Sequence, residues 1–136
     1  MKKSKVLLIY TGGTIGMKEE EIKKSLKPFN FNQITNEVPE LNKINCRIDA
    51  ISFEEPIDSS DINVNTWEEI GDNIYENYQK YDGFVVLHGT DTMSYTASAL
   101  SFMFQNLDKP IILTGSQLPI GQVRTDGKEN LITSIE

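Results

Sequence analysis

Three short, uninterrupted apolar runs limit the fold of this chain more than any other feature of its sequence. They occupy residues 5–10, 83–89 and 109–117, and each has the length of a strand. Between them lie segments whose apolar residues recur at intervals of three and four, as on one face of a helix. Apolar strands that alternate with helices are typical of a parallel sheet covered on both faces. The sequence therefore predicts an open α/β fold with a mainly parallel sheet flanked by helices on both faces.

Apolar stripes and caps predict the helices. The first stripe consists of Trp67, Ile70, Ile74 and Tyr78. The second consists of Met93, Ala97, Leu100 and Phe104. We expect Asn65 or Thr66 to be the N-cap of the first helix. We expect the second helix to end near Asn106 and a further helix to begin around Asp126.

The segment between the first strand and the first strong helix has weaker patterns. Residues 17–27 mix charges of both signs, which indicates either a short solvated helix or a mobile loop. Residues 29–41 form a weak helix candidate, and residues 46–53 alternate apolar and polar side chains as a strand does. Cys46 begins this strand, and we expect it to be buried by packing.

Composition restricts the compartment and the partners. A length of 136 residues with 38% hydrophobic residues indicates one folded domain. The net charge of -7 repels phosphate groups, which argues against nucleic acid and anionic membrane as partners. The single cysteine fits a reducing compartment, and the apolar core near the start is too short for a signal peptide. We therefore expect a cytoplasmic protein.

Small polar residues follow the apolar part of each of these three segments, as "TGGT" at residues 11–14, "HGTDT" at 88–92 and "TGSQ" at 114–117. Ligands of open parallel sheets bind beyond the carboxyl ends of the strands, so these segments should meet at one site. Glycine lets a ligand approach the backbone and leaves amide groups free to stabilise an oxyanion. Threonine supplies a hydroxyl nucleophile. Three such segments at one edge favour a functional site over ordinary turns.

Two other interpretations of these segments remain open from the residues alone. Glycine and threonine after a strand are common in turns, and Thr92 or Asp91 could simply cap the following helix. "TGGTIG" also lacks the first glycine of a dinucleotide-binding fingerprint, so the case for a nucleotide is weak. His88, the only histidine, is expected to be a structural imidazole rather than a general base.

Five segments of the chain resemble the asparaginase/glutaminase family of threonine amidohydrolases, in particular its type I bacterial L-asparaginases. They are "YTGGTIGM" at 10–17, "DSSD" at 58–61, "DGFVVLHGTDTMSYTASALSFM" at 82–103, "TGSQLP" at 114–119 and "RTDGKENL" at 124–131. The resemblance implies a flavodoxin- or Rossmann-like N-terminal domain over residues 1–136. It also implies hydrolysis of L-asparagine to L-aspartate and ammonia through a threonine acyl-enzyme, with no metal or organic cofactor.

The resemblance also implies roles for individual residues. Thr14 would be the nucleophile, and Thr90 would manage protons with the support of Asp91. Asp91 would also bind the substrate ammonium. The implied remaining contacts are Ser59 and Ser60 to the α-carboxylate, the Ser116 carbonyl near the leaving ammonia, and the backbone of Gly13 and Thr90 at the oxyanion.

Family members are longer, and the resemblance implies a second domain, a catalytic lysine beyond residue 136 and a homo-oligomer, either a dimer or a tetramer. We expect the chain to be cut at its C-terminal end and to be inactive or nearly so by itself. The family's tyrosine in the loop after the nucleophile has no counterpart here, because Ser25 is the only hydroxyl in residues 18–30. A non-catalytic α/β module that binds a small ligand and an asparaginase-like subunit of a tRNA-dependent amidotransferase are the alternatives.

Overall fold

The computed structural model describes residues 3–20, 25–28, 30–31 and 34–136. In chain order the strands are β1 (Ser4–Tyr10), β2 (Met17–Glu20), β3 (Ser25–Pro28), β4 (Cys46–Ser52), β5 (Gly83–Leu87) and β6 (Ile111–Thr114). The α-helices are α1 (Ile34–Glu37), α2 (Val64–Asn77), α3 (Met93–Met103) and α4 (Gly127–Ile135). Short 3-10 segments cover Thr14–Gly16, Pro39–Lys43 and Ser59–Asp61.

A parallel sheet with the strand order β4-β1-β5-β6 forms the centre of the molecule. The two inner strands are the most apolar, and every residue of β5 is buried. Successive side chains of β1 point to opposite faces. Leu8 and Tyr10 contribute to a core with α1 and α4 on one face, whereas Leu7 and Ile9 contribute to a core with α2 and α3 on the other. The predicted fold class, a parallel sheet with helices on both faces, is confirmed.

Helix α2 begins two or three residues earlier than expected. The side chain of Asn63 accepts a hydrogen bond from the Asn65 amide at 3.0 Å, so Asn63 is the N-cap. Thr66 completes a capping box by accepting from the Asn63 amide at 3.5 Å. The prediction of Asn65 or Thr66 as the N-cap was wrong. The reciprocal hydrogen bonds of the capping box between Asn63 and Thr66 stabilise a helix that starts earlier.

The charged segment after β1 is not a helix in the described residues. β2 and β3 pair antiparallel, with Met17 opposite Pro28 and Lys18 opposite Lys27. A two-stranded ladder satisfies backbone groups while the Lys18 and Lys27 side chains remain exposed in water. The described residues of this segment are therefore an antiparallel strand pair rather than the predicted short helix or mobile loop; residues 21–24 lie outside the described residues.

In its described residues, the weak helix candidate at residues 29–41 forms one α-helical turn, α1, followed by the 3-10 segment from Pro39. Proline has no amide hydrogen and restricts the residue before it, which ends the helix at this point. The apolar positions of the pattern, Phe31, Ile34, Val38 and Leu41, are nonetheless all buried in the core with α4. The pattern therefore predicted burial better than it predicted conformation; residues 29, 32 and 33 lie outside the described residues.

Ile112 and Cys46 are less buried than a sheet covered on both faces would make them, because both lie on outer strands. Ile112 of β6 is 41% exposed, since β6 pairs with a strand on one side only in the described sheet. Cys46 is half-buried at the start of β4, the outer strand at the opposite side.

α3 ends at Met103, three residues before Asn106, and α4 follows Asp126 as expected.

A buried hydrogen-bonded chain joins the end of β5 to helices α2 and α3. His88 is fully buried, and its Nδ1 donates to the carbonyl oxygen of Gly89 at 2.6 Å. Thr96 Oγ1 accepts from the indole of Trp67 at 3.0 Å and lies 2.8 Å from His88 Nε2. Burial lowers the pKa of His88, so the imidazole is neutral near pH 7. With its proton on Nδ1, which faces a carbonyl that can only accept, Nε2 accepts from Thr96 Oγ1. His88 therefore has the structural environment that the sequence predicted.

We predict that the protein loses stability as the pH falls below about 6.5. Burial lowers the pKa of His88 from its ordinary value of 6.5. The unfolded chain therefore takes up a proton first as the pH falls, which favours unfolding; above about 6.5 both states are neutral and the contribution is complete. Urea unfolding between about pH 7.5 and 5 measures the effect.

His88→Gln is the control, because it removes the only histidine and should flatten the pH dependence in this window. Asp58 and Asp126 have lowered pKa values, so their contributions change below about pH 3.8. Wild-type stability that is constant or rises from pH 6.5 to 5 would contradict the neutral, buried imidazole.

Candidate active site

A cavity of about 380 Å³ lies beyond the carboxyl ends of β1 and β5. Three segments of the chain line it: the residues after β1, residues 56–59, and the residues after β5. Its lining includes Gly13, Thr14, Ser59, Thr90 and Asp91. The structure thus brings together five of the residues that the sequence selected, although they come from three separate parts of the chain.

The loop after β1 is held against the end of β5 by backbone hydrogen bonds. The amide and the hydroxyl of Thr11 both donate to the carbonyl of Leu87, at 3.0 and 3.1 Å. The Ile57 amide donates to the Thr11 carbonyl at 2.8 Å, which brings the third segment to the same place. Thr11 therefore joins all three segments of the cavity.

Both glycines after Thr11 are required by the geometry. Gly12 and Gly13 have φ values of 143° and 85°, which other residues rarely adopt. A Cβ on Gly12 would lie 2.0 Å from the Ile57 carbonyl oxygen, and one on Gly13 would lie 2.6 Å from Cα and N of Gly89. The backbones after β1 and β5 are in direct contact at Gly13 and Gly89, and Thr14 and Thr90 follow them.

Ser59 packs on this contact from the third segment. A Cβ on Gly89 would lie 2.5 Å from Ser59 Oγ, so only glycine fits beneath that side chain. Thr92 Oγ1 donates to the Ser59 carbonyl at 2.6 Å. Thr92 is the N-cap residue of α3 by position, but it makes no side-chain cap bond. The alternative in which its hydroxyl caps the helix is wrong, because that hydroxyl holds the Ser59 segment at the cavity.

Carboxylates give one side of the cavity a negative charge. Asp91 is exposed and lines the cavity just before α3. Asp58 also lines it and accepts from the amide and the hydroxyl of Ser60, each at 2.9 Å. These two bonds, the backbone one foremost, lower the pKa of Asp58, so it is ionised at neutral pH. Two carboxylates in one cavity favour a cationic group such as an ammonium.

Two of the sequence-selected serines lie outside the cavity lining. Ser60 is exposed, and its hydroxyl is engaged by Asp58. Ser116 is buried, and its hydroxyl donates to the Leu118 carbonyl at 2.6 Å. Only the backbone of Ser116 is therefore available for the role near the leaving group that the resemblance implies.

Several residues of the site were not assigned by sequence reasoning. Met17, Pro56 and Ile57 line the cavity, and nothing in their local sequence indicates it. Gln117 Nε2 donates to Thr90 Oγ1 at 3.1 Å, within the "TGSQ" segment that the pattern did identify. A polar residue at the end of a third parallel strand is the signal that could have identified Gln117.

The described residues show neither a metal cluster nor a membrane-spanning helix. Within residues 3–20, 25–28, 30–31 and 34–136, no three His, Cys, Asp or Glu residues are grouped to hold a metal ion. In the same part of the chain, no helix has the length and apolar character needed to cross a bilayer.

Comparison with known proteins identifies the family. The family model described as "Asparaginase, N-terminal" matches residues 5–136. The chain belongs to the asparaginase family. L-asparaginase 1 of Escherichia coli strain K12 is 43% identical over 136 residues, which cover 99% of this chain and 40% of that protein.

Further relatives agree with this membership. The crystal structure of L-asparaginase I from Vibrio cholerae superimposes with a TM-score of 0.86 at 45% identity, over 97% of this chain and 40% of that one. A subunit of the glutamyl-tRNA(Gln) amidotransferase of Sulfurisphaera tokodaii is 39% identical, over 98% of this chain and 30% of that protein. This member of the asparaginase family thus spans 30% to 40% of the length of these relatives.

We predict that Gly13→Ala destabilises the protein far more than a matched glycine substitution. The unusual backbone alone costs about 1–3 kcal/mol for a residue with a Cβ, and the 2.6 Å clash is with backbone that cannot rotate away. Gly121→Ala is the control, because its Cβ would come no closer than 4.0 Å to Lys18 Cγ. Equal free energies of unfolding for the two variants, measured in urea, would contradict the described contact with Gly89.

Proposed function

We propose that the whole protein hydrolyses L-asparagine to L-aspartate and ammonia through an acyl-enzyme on Thr14. The observation that carries the proposal is the cavity shared by Thr14, Thr90 and Asp91 at the ends of adjacent parallel strands. Family membership and the L-asparaginases among the relatives support the choice of reaction.

In the proposed first step, Thr14 Oγ1 attacks the carbonyl carbon of the substrate side-chain amide. The hydroxyl proton passes by way of Thr90 to the amide nitrogen, the C–N bond breaks, and ammonia departs. Water then hydrolyses the aspartyl ester, which releases L-aspartate and restores the Thr14 hydroxyl. Backbone amides at Gly13 and Thr90 would stabilise the oxyanion in both steps.

The charges and hydrogen-bonding groups of the cavity suit the α-ammonium, the α-carboxylate and the side-chain amide of L-asparagine. Asp91 would bind the α-ammonium, and the neighbouring charge of Asp58 would favour the same group. Ser59 would donate to the α-carboxylate from its place above Gly89, with Ser60 at the outer side of the same segment. Ser116 would contribute its backbone carbonyl near the leaving ammonia.

We further propose that residues 1–136 act as the N-terminal domain of a longer, cytoplasmic homo-oligomer with no cofactor. The share of the relatives' length that the chain covers supports a second domain. A catalytic lysine from the rest of the protein would complete the group around Thr90. The side chain that donates to Thr90 here, Gln117, would then share this hydroxyl with the lysine.

Two alternatives predict different measurements. A non-catalytic module would bind L-aspartate in calorimetry and release no ammonia from L-asparagine. A tRNA-dependent amidotransferase subunit would need its partner protein and tRNA for activity, as the similarity to the Sulfurisphaera tokodaii protein suggests. Ammonia release by the isolated whole protein with free L-asparagine separates the proposed function from both.

We predict that Thr14→Ala abolishes ammonia release from L-asparagine in the whole protein and leaves the fold intact. The substitution removes the nucleophile but no core contact, since Thr14 is only half-buried. Thr133→Ala, which removes an exposed hydroxyl from α4, is the matched control and should retain full turnover. Undiminished ammonia release by Thr14→Ala would reject Thr14 as the nucleophile.

A further inference from the structure

Tyr10 is a deeply buried polar residue next to the loop that carries Thr14. It is the last residue of β1 and is 1% exposed. Its hydroxyl donates to the carbonyl oxygen of Gly13 at 3.1 Å. Its ring lies against Gly16, where an added Cβ would come within 2.1 Å of Cε2, and its centroid is 4.7 Å from that of Phe31. The side chain thus contacts the loop on both sides of Thr14.

The loop needs such a support because its own backbone supplies little rigidity. Gly12 and Gly13 have more accessible conformations in the unfolded chain than any other residue type. The Gly13 carbonyl is held from two directions, by the Tyr10 hydroxyl and by the Gly16 amide at 3.2 Å. In a trans peptide the amide of the next residue points opposite to the carbonyl. Fixing the Gly13 carbonyl therefore fixes the direction of the Thr14 amide and the position of the Thr14 Cα.

We propose that Tyr10 is a positioning residue for the nucleophile, whose hydroxyl holds the Gly13–Thr14 peptide in the orientation that presents Thr14 to the substrate. The inference rests on the proposed function of Thr14. It adds a support for the nucleophile in a chain whose residues 18–30 contain no tyrosine. Tyr10 acts through the backbone and does not touch the substrate, because its side chain lies beneath the loop and outside the cavity lining.

The environment of the Tyr10 hydroxyl keeps it protonated, so it can always donate its hydrogen bond to Gly13. Burial raises the pKa of Tyr10 to about 12, so the phenol keeps its proton at any pH at which the protein would work. A group with this pKa is a poor general base near neutrality. The hydroxyl therefore contributes a hydrogen bond, not a proton transfer.

Tyr10→Phe in the whole protein tests the proposal, because it removes the hydroxyl and keeps the ring against Gly16 and Phe31. Tyr81→Phe is the matched control: it removes a tyrosine hydroxyl that donates to Asp49 at 3.2 Å, away from the cavity. We expect kcat for ammonia release from L-asparagine to fall by about tenfold or more in Tyr10→Phe, since small displacements of reacting groups can cost up to roughly 100-fold. KM and the thermal midpoint should stay close to those of Tyr81→Phe.

A second measurement does not depend on activity. Amide hydrogen exchange of residues 11–16 should be faster in Tyr10→Phe than in both the unaltered protein and Tyr81→Phe. Unchanged exchange in this segment, or a kcat equal to that of Tyr81→Phe, would overturn the proposal. Absence of ammonia release from the unaltered protein would instead reject the proposed function, and the exchange comparison would still decide whether Tyr10 holds the loop.

Discussion

The contact between the backbones of Gly13 and Gly89 is the constraint on which the candidate site depends. β1 and β5 are paired in parallel, so the loops after them leave the sheet side by side. A Cβ on Gly13 would lie 2.6 Å from Cα and N of Gly89 and would separate the two loops. A Cβ on Gly89 would lie 2.5 Å from Ser59 Oγ and would displace the third segment. With glycine at both, Thr14 and Thr90 follow directly and line the same cavity. Two residues that are 76 positions apart become neighbours at one site.

Hydrogen bonds around this contact remove the freedom that the glycines introduce. Thr11 ties the first loop to Leu87, and Thr92 ties the segment of Ser59 to the start of α3. His88 holds the Gly89 carbonyl from the buried side and is itself held by Thr96. Polar side chains beneath the candidate site therefore support its backbone, whereas Thr14, Thr90 and Asp91 line its cavity. This division explains how hydroxyl-rich segments can be partly buried and still contribute side chains to the cavity.

The sequence predicted the parts of the structure that depend on local pattern. Apolar runs of strand length gave β1 and β5, and three-and-four spacing gave α2 and α3. The sequence did not predict conformations that depend on pairing between segments. Met17 pairs with Pro28 in an antiparallel ladder, but the segment has no alternation of apolar and polar residues that would predict strands. Ile112 is exposed because β6 is an outer strand of the described sheet. The sequence of β6 by itself does not show which position this strand takes in the sheet. The grouping of Thr14 with Thr90 could be predicted, because carboxyl ends of parallel strands meet. The same reasoning extends to Gln117 at the end of the third strand, whereas the contribution of Ile57 comes from tertiary packing alone.

The central claim is that the hydroxyl of Thr14 forms a covalent bond with the substrate at this cavity. The most direct test is mass spectrometry of the whole protein quenched in acid during turnover of L-asparagine, followed by peptide fragmentation. The account predicts an added aspartyl group carried by Thr14. An aspartyl group located on Thr90 or on any other residue would contradict it.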